Sequence, residues 1–181
     1  MLKYTNMFLI KILATLLIFS FSFNKGLNAK TILATYDISW NSIVLGNIYW
    51  EFSVFEKSYN FSIKLESSGF SSKLYPFNGT YSSSGIKTAG GSFIPEKYYH
   101  FWRGKKKEKL IKIIFSDNKI KNLTSVPEQS DEPFVDFYKL DNPTDPITAA
   151  MDLIINDDEK IAKNIFDGRR IYDLSLVSEG A

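Results

Sequence analysis

The sequence predicts a mainly β fold, an antiparallel twisted sheet or incomplete β-barrel of roughly eight or nine strands with one amphipathic helix packed on it. Three observations carry that reading. Apolar and polar residues alternate with period two through most of the chain, turn-forming pairs separate the alternating runs, and a single segment near the C-terminus switches to helical period.

The first thirty residues stand apart from this pattern. Lys3 and Lys11 precede an apolar run from Ile12 to Phe23, which breaks at Asn24-Lys25-Gly26. Such a run is short for a membrane span, which needs about 20 apolar residues, and fits the h-region of a secretory signal, which needs about 7–15. Leu27-Asn28-Ala29 supplies the small residue required before a cut. The expected organisation is a signal peptide over 1–29, cleaved after Ala29, and one β-rich domain over 30–181. The alternative is an uncleaved N-terminal anchor.

The first strand is read from Ile32, Ala34, Tyr36, Ile38 and Trp40 alternating with Leu33, Thr35, Asp37 and Ser39. After Asn41-Ser42 the pattern resumes with Val44, Gly46, Ile48, Trp50, Phe52 and Val54 on one side, so the two runs form a hairpin. Beyond Glu56-Lys57-Ser58, a third strand sets Tyr59, Phe61, Ile63 and Leu65 against Asn60, Ser62, Lys64 and Glu66. Further strands are expected at Phe77–Ile86, Ser92–Trp102, Leu110–Phe115 and Lys119–Thr124, with turns at Gly90-Gly91 and Asp117-Asn118. The prolines of Pro127–Pro143 predict a loop with at most a short strand at Phe134–Tyr138.

Asp145 suits a helix N-cap and Pro146 the first helical position, with Ile147, Ala150, Met151 and Ile154 as the apolar stripe. Asn156-Asp157-Asp158 ends the helix. Ile161–Phe166 and Arg169–Ser178 then flank Asp167-Gly168, a pair suited to a tight hairpin turn. The chain stops at Gly180-Ala181 directly after a strand whose edge is left unpaired, which predicts further strands beyond Ala181.

Composition narrows the function classes. The leader holds three lysines and no acidic residue, so its removal takes the formal charge from +2 to −1. A near-neutral domain lacks the electrostatic footprint of a nucleic-acid binder. The absence of cysteine excludes disulfides, thiol catalysis and zinc–thiolate sites.

Several segments in order are Tyr36-Asp37-Ile38-Ser39-Trp40 with Leu45-Gly46, Ser68-Gly69-Phe70, Ser84-Gly85, Phe93-Ile94-Pro95-Glu96-Lys97-Tyr98, Asp145-Pro146-Ile147-Thr148-Ala149 and Asp167-Gly168-Arg169-Arg170-Ile171-Tyr172-Asp173. Together they resemble the bacterial exported proteins catalogued as domain of unknown function 3108, over nearly all of the chain past the leader. The resemblance implies a periplasmic, mostly antiparallel β protein whose members continue for several strands past the Asp-Gly-Arg-Arg hairpin.

Candidate chemistry is sparse. His100 is the single histidine, in Tyr98-Tyr99-His100-Phe101-Trp102, and no Gly-x-Ser-x-Gly elbow accompanies it. It reads as a partly buried strand histidine, and no catalytic residue is assigned. Asp157-Asp158-Glu159 and the acids from Asp131 to Asp145 lack calcium-loop spacing, so no metal or cofactor is expected. Arg103, Lys105, Lys106, Lys107 and Lys109 cluster at a hairpin tip, where they either keep the turn solvated or touch anionic lipid head groups peripherally.

Arg170 shares its strand face with Tyr172, Leu174 and Leu176. If that face turns inward, the guanidinium needs Asp145 or Asp173 as a structural partner, or else an anionic ligand. Trp40, Trp50, Phe52 and Phe61 fall on the faces expected to point inward, where they fill a core or line a ligand cavity. The leading expectation is non-enzymatic binding of a lipid or other amphipathic envelope ligand, with Arg170, Tyr172, Trp40, Trp50 and Trp102 as contacts. A protein-interaction module assisting envelope assembly is the first alternative, and a hydrolase acting on envelope polymers the second.

Overall fold

A computed structural model of the chain describes residues 30–128, 135–156 and 161–175. The expected leader, Phe134, the acids Asp157–Glu159 and the strand past Ser175 lie outside them.

Alternation becomes a seven-stranded antiparallel meander in strict sequence order: β1 (Lys30–Trp40), β2 (Ile43–Val54), β3 (Ser58–Ser67), β4 (Asn78–Lys87), β5 (Phe93–Arg103), β6 (Glu108–Ser116) and β7 (Lys119–Val126). The sheet stays open, because no pairing joins β1 to β7 among the described residues. Asn41, Ser42, Asp117 and Asn118 take positive φ at the two tightest turns, as the expected hairpins require. A six-residue helix, α1 (Gly69–Leu74), fills the β3–β4 connection. Its Ser71 hydroxyl donates to the Leu45 and Ser68 carbonyls. Six residues are too few to show a helical period, so α1 leaves no sequence signal.

Past β7, Phe137–Lys139 form a 3-10 turn rather than the short strand expected at Phe134–Tyr138. Phe137 and Leu140 pack against the core there, and no strand pairs with this stretch among the described residues. The helix α2 (Pro146–Asn156) begins where the Asp-Pro pair places it. A separate hairpin follows, β8 (Ile161–Phe166) with β9 (Ile171–Ser175), outside the main sheet. Its turn is wider than two residues. Phe166 pairs with Ile171, and the Asp167 carboxylate accepts the Arg169 and Arg170 amides at 2.8 Å each, an Asx-type closure.

The phase of α2 also differs from expectation. Ile147 and Met151 face the sheet as expected, but Thr148, Ala149 and Leu153 are buried and Ile154 is exposed. The helix lies against β4 and β5 on one side and β8 on another, and that second contact rotates the buried arc away from Ala150 and Ile154.

Register arranges the inner face, the one under α2, in cross-strand rows. One row runs Ile32, Phe52, Phe61, Ser83, Tyr98, Ile113 and Leu123 across all seven strands. From Phe52 to Ile113 this row is fully covered, and Phe61 is completely inaccessible to solvent. Burying a side chain of that size stabilises the fold by about 1.5–3 kcal/mol. The next row is Ala34, Trp50, Ile63, Tyr81, His100, Ile111 and Ser125, and the one after it Tyr36, Ile48, Leu65, Gly79, Trp102 and Lys109. Burial falls off along this series. Helix and hairpin thus cover one half of the inner face and leave the other open.

Candidate ligand-binding face

The covered half is pinned by a buried polar cluster. The Asp145 carboxylate caps α2, its Oδ1 accepting the Ile147 and Thr148 amides at 2.9 and 3.0 Å. Its Oδ2 accepts the Thr148 hydroxyl at 2.6 Å and the Ser83 hydroxyl of β4 at 2.7 Å. With both of those protons committed, the Tyr59 hydroxyl, 2.8 Å from Thr148 Oγ1, must be the donor in that pair. Burial drives the Asp145 carboxyl above its ordinary range, and the four donated hydrogen bonds oppose it. Burial, then the nearby Asp145 charge, likewise raises the Tyr59 phenol. This cluster contains a serine, yet Ser83 is buried and its proton is held by a saturated carboxylate. It docks the helix onto the sheet.

The open half has a different chemistry. Its two rows present Trp50, Ile63, Tyr81 and His100, then Tyr36, Ile48, Leu65 and Trp102. Tyr36 meets Trp50 edge-on at 5.8 Å between centroids, and Tyr81 stacks on His100 at 4.3 Å. Gly79 contributes no side chain, so the floor dips between the Phe77 and Tyr81 rings, 3.3 and 3.4 Å from where a Cβ would stand. Phe77 itself lies against Trp102. At one end the face deepens into a cleft of about 270 Å³ lined by Ile38, Leu45, Leu65, Tyr75 and Phe77 under α1.

Two buried polar atoms, Trp50 Nε1 and His100 Nε2, have no hydrogen-bond partner among the described residues. Both belong to the same cross-strand row of this open face. Buried indole N–H and imidazole nitrogens ordinarily find partners, so two exceptions in one row are unusual. Burial first, then the Lys109 charge, depresses the His100 pKa, with Asp167 opposing.

That depression sets an acid sensitivity. An unfolded histidine takes up its proton near pH 6.5, while the folded His100 resists until lower pH. Stability contributed by the neutral ring is therefore full above about pH 6.5 and is lost as pH falls through the folded pKa. Melting temperatures measured between pH 7.5 and 5 are expected to fall, and the His100→Phe variant to lose part of that slope. Equal slopes in both proteins would rule the effect out.

Of the five side chains expected to contact a ligand, Trp50 and Trp102 lie on the open face. Trp40 does not point into the core as expected. It is 68% exposed at the tip of the first hairpin, where a register shift at Ile38/Ser39 breaks the alternation just before it. Tyr172 is partly exposed on β9, its phenol pushed up to about 12 by burial and then by Asp167 and Asp145. Arg170 is exposed and not inside the core. Neither expected partner holds it, because Asp145 is saturated by Ser83, Thr148 and two amides, and Asp173 accepts the Asn164 amide.

The basic segment divides. Lys105, Lys106 and Lys107 are exposed at the β5–β6 tip, and Arg103 pairs with Glu108 at 3.0 Å. Lys109 alone turns inward. It follows the phase of the buried Ile111, Ile113 and Phe115, and sits opposite Trp102. Its placement was legible in that alternation once the strand is started at Glu108 rather than Leu110.

Among the described residues no group of three acidic or histidine side chains gathers as a metal site, and no helix is long and apolar enough to cross a membrane. Compared with family models, curated proteins and solved structures, the chain finds no match.

Proposed function

We propose that the chain binds a hydrophobic or amphipathic ligand, without turning it over, along the open half of the inner face, and that it does so as an exported envelope protein. The observation that carries the binding reading is the pairing of an aromatic, half-covered sheet face with two buried nitrogens that lack partners in the same row. Mostly apolar walls with a few convergent polar atoms are what small-molecule sites present. The export reading rests on the leader features of residues 1–29 and on the resemblance to an exported family.

The test is titration of the chain with N-phenyl-1-naphthylamine, a neutral apolar probe, followed by probe emission and tryptophan quenching. Saturable binding is expected, weakened about tenfold by Leu65→Glu, which puts a charge on the cleft wall. Leu33→Glu, on the exposed outer side of β1, is expected to leave binding unchanged. Absence of saturable binding, or equal weakening by both substitutions, would refute the reading.

A specific observation also favours an interaction module. β1 is an 11-residue edge strand whose outer side pairs with nothing among the described residues, and Ile32, Leu33, Tyr36 and Trp40 on it are at least half exposed. Proteins usually blunt such edges, and an unblunted one can accept a partner strand. Replacing Thr35 by Pro on this edge is expected to abolish any strand addition while leaving probe binding intact. Loss of both together would count against an edge-mediated partner.

A further inference from the structure

An antiparallel meander places every odd-to-even connection at one end of the sheet and every even-to-odd connection at the other. The register here follows that rule. Gly46, beside the β1–β2 turn, pairs with Ser67 just before α1, and Asn78 just after α1 pairs with Arg103 at the β5–β6 tip. One end therefore gathers the β1–β2 turn, α1 and the β5–β6 tip, with α1 in the middle and the outer two about 19 Å apart at about 4.8 Å per strand. β7 also leaves the sheet there, since Val126 pairs with Leu110.

This end is both apolar and cationic. Trp40 and Ile43 flank the β1–β2 turn, each more than half exposed. Ser71 fastens α1 to the Leu45 carbonyl, while Phe70, Lys73 and Leu74, three and four positions apart on the helix, form its exposed face. Lys105, Lys106 and Lys107 stand exposed at the β5–β6 tip, and neither they nor Lys73 form an ion pair among the described residues. Across these connections and the strand ends that bound them, the five cations Lys73, Arg103, Lys105, Lys106 and Lys107 meet two described carboxylates, Glu108 and Glu128. Glu108 is already paired with Arg103. The opposite end differs in both respects. Its connections, 55–57, 88–92 and 117–118, expose no large apolar side chain and carry Glu56, Lys57 and Asp117.

Exposed apolar side chains grouped at one end of a protein mark an interaction surface. The lysines beside them select its partner, because a surface of net positive charge repels its own copy and is drawn to an anionic one. We infer that this end docks on an anionic lipid bilayer, with Trp40, Phe70 and Leu74 entering the head-group region and Lys73, Lys105, Lys106 and Lys107 meeting lipid phosphates. Amphipathic rings such as that of Trp40 settle at that depth, and each lysine near an anionic leaflet adds about fivefold in affinity. The surface lies at the rim of the sheet rather than on the open half of its inner face, so membrane docking does not depend on ligand binding there.

The chain contains no cysteine, so a single introduced one can carry a polarity-sensitive nitrobenzoxadiazole label. Phe70→Cys places it on α1 and Glu56→Cys at the opposite end, both at exposed positions. With vesicles of phosphatidylethanolamine and phosphatidylglycerol, the α1 label on the full chain is expected to brighten, shift to the blue and be quenched by spin-labelled lipid, while the label at the opposite end changes little. Leu74→Cys, also exposed on α1, is expected to report the same insertion. Lys105→Gln, Lys106→Gln and Lys107→Gln together should weaken the vesicle binding read on α1 about tenfold, as should vesicles of phosphatidylcholine alone. Attachment through the apolar run of residues 12–23 would tether both ends alike, which the pair of labels separates from docking by this end. Equal responses at the two ends, or none on α1, overturn the docking. A response on α1 that is indifferent to the lysines and to lipid charge overturns the anionic bilayer as the partner. A blue shift that grows with protein concentration in the absence of vesicles assigns the end to a second copy of the chain and overturns the bilayer likewise.

Discussion

Asp145→Ala is expected to destabilise the protein by about 3–5 kcal/mol, the largest loss from any single polar substitution in the chain. The reasoning starts from the donors left behind. Asp145 is completely buried and accepts four hydrogen bonds, two from the first turn of α2, one from Thr148 Oγ1 and one from Ser83 Oγ across the interface. Losing a helix cap alone costs about 0.5–2 kcal/mol, and each buried hydroxyl left without a partner adds about 1–3 kcal/mol. Water has no direct route to replace these bonds, because Ser83, Thr148 and Tyr59 are themselves buried. For a domain of this size the loss corresponds to a fall in Tm on the order of 10 °C.

Asp145→Asn separates the cap from the cluster. Its amide oxygen can still take the Ile147 and Thr148 amides, but its NH₂ stands where two hydroxyls now donate, so Ser83 and Thr148 must turn their protons elsewhere. Denaturant unfolding should place this variant between the parent and the alanine variant. Thr148→Val should cost less than Asp145→Ala, because it keeps the cap while leaving the Tyr59 hydroxyl without its 2.8 Å partner. If Asp145→Ala lost less than about 1 kcal/mol, the cluster would not be what fastens α2 to the sheet.

How much of this could be read beforehand depends on the kind of signal. The strands were legible because period-two alternation is a local property, and seven of them appear in order with boundaries within a few residues of those expected. Asp145 was legible as a cap from the Asp-Pro pair, but its bond to Ser83, 62 positions away, was not, since nothing local in Thr-Tyr-Ser-Ser-Ser marks which serine lies under a helix. The same limit explains the candidate site. Trp50 was picked out as an inward aromatic and Trp102 as a ligand contact, but their membership in an open rather than a covered row depends on where α2 and the β8–β9 hairpin dock. Trp40 was assigned by extrapolating alternation across a register shift that leaves no trace in composition. Arg170 was placed by strand parity, and the four-residue turn shortened β9 enough to carry it to the surface. Lys109 was hidden for the opposite reason. Its neighbours Lys105, Lys106 and Lys107 made it look like one more tip lysine, although the alternation of Ile111, Ile113 and Phe115 marks its side as the inner one.

Gly168→Ala is expected to cost about 2–4 kcal/mol, by a route unlike that of the Asp145 variants. Gly168 has φ +94°, a backbone region that residues with a Cβ rarely adopt. A Cβ there would also lie 2.5 Å from Ile111 Cγ2 and 3.0 Å from its Cδ1. Ile111 is almost wholly buried and branched at Cβ, so it has little room to yield. The hairpin must therefore lift from β6, which moves Arg169 and Arg170 relative to Lys109. Removing the obstacle distinguishes crowding from backbone strain: with Ile111→Ala present, Gly168→Ala should cost less than it does alone, a favourable coupling on the order of 1 kcal/mol in a double-mutant cycle. Strict additivity would assign the whole cost to the positive φ.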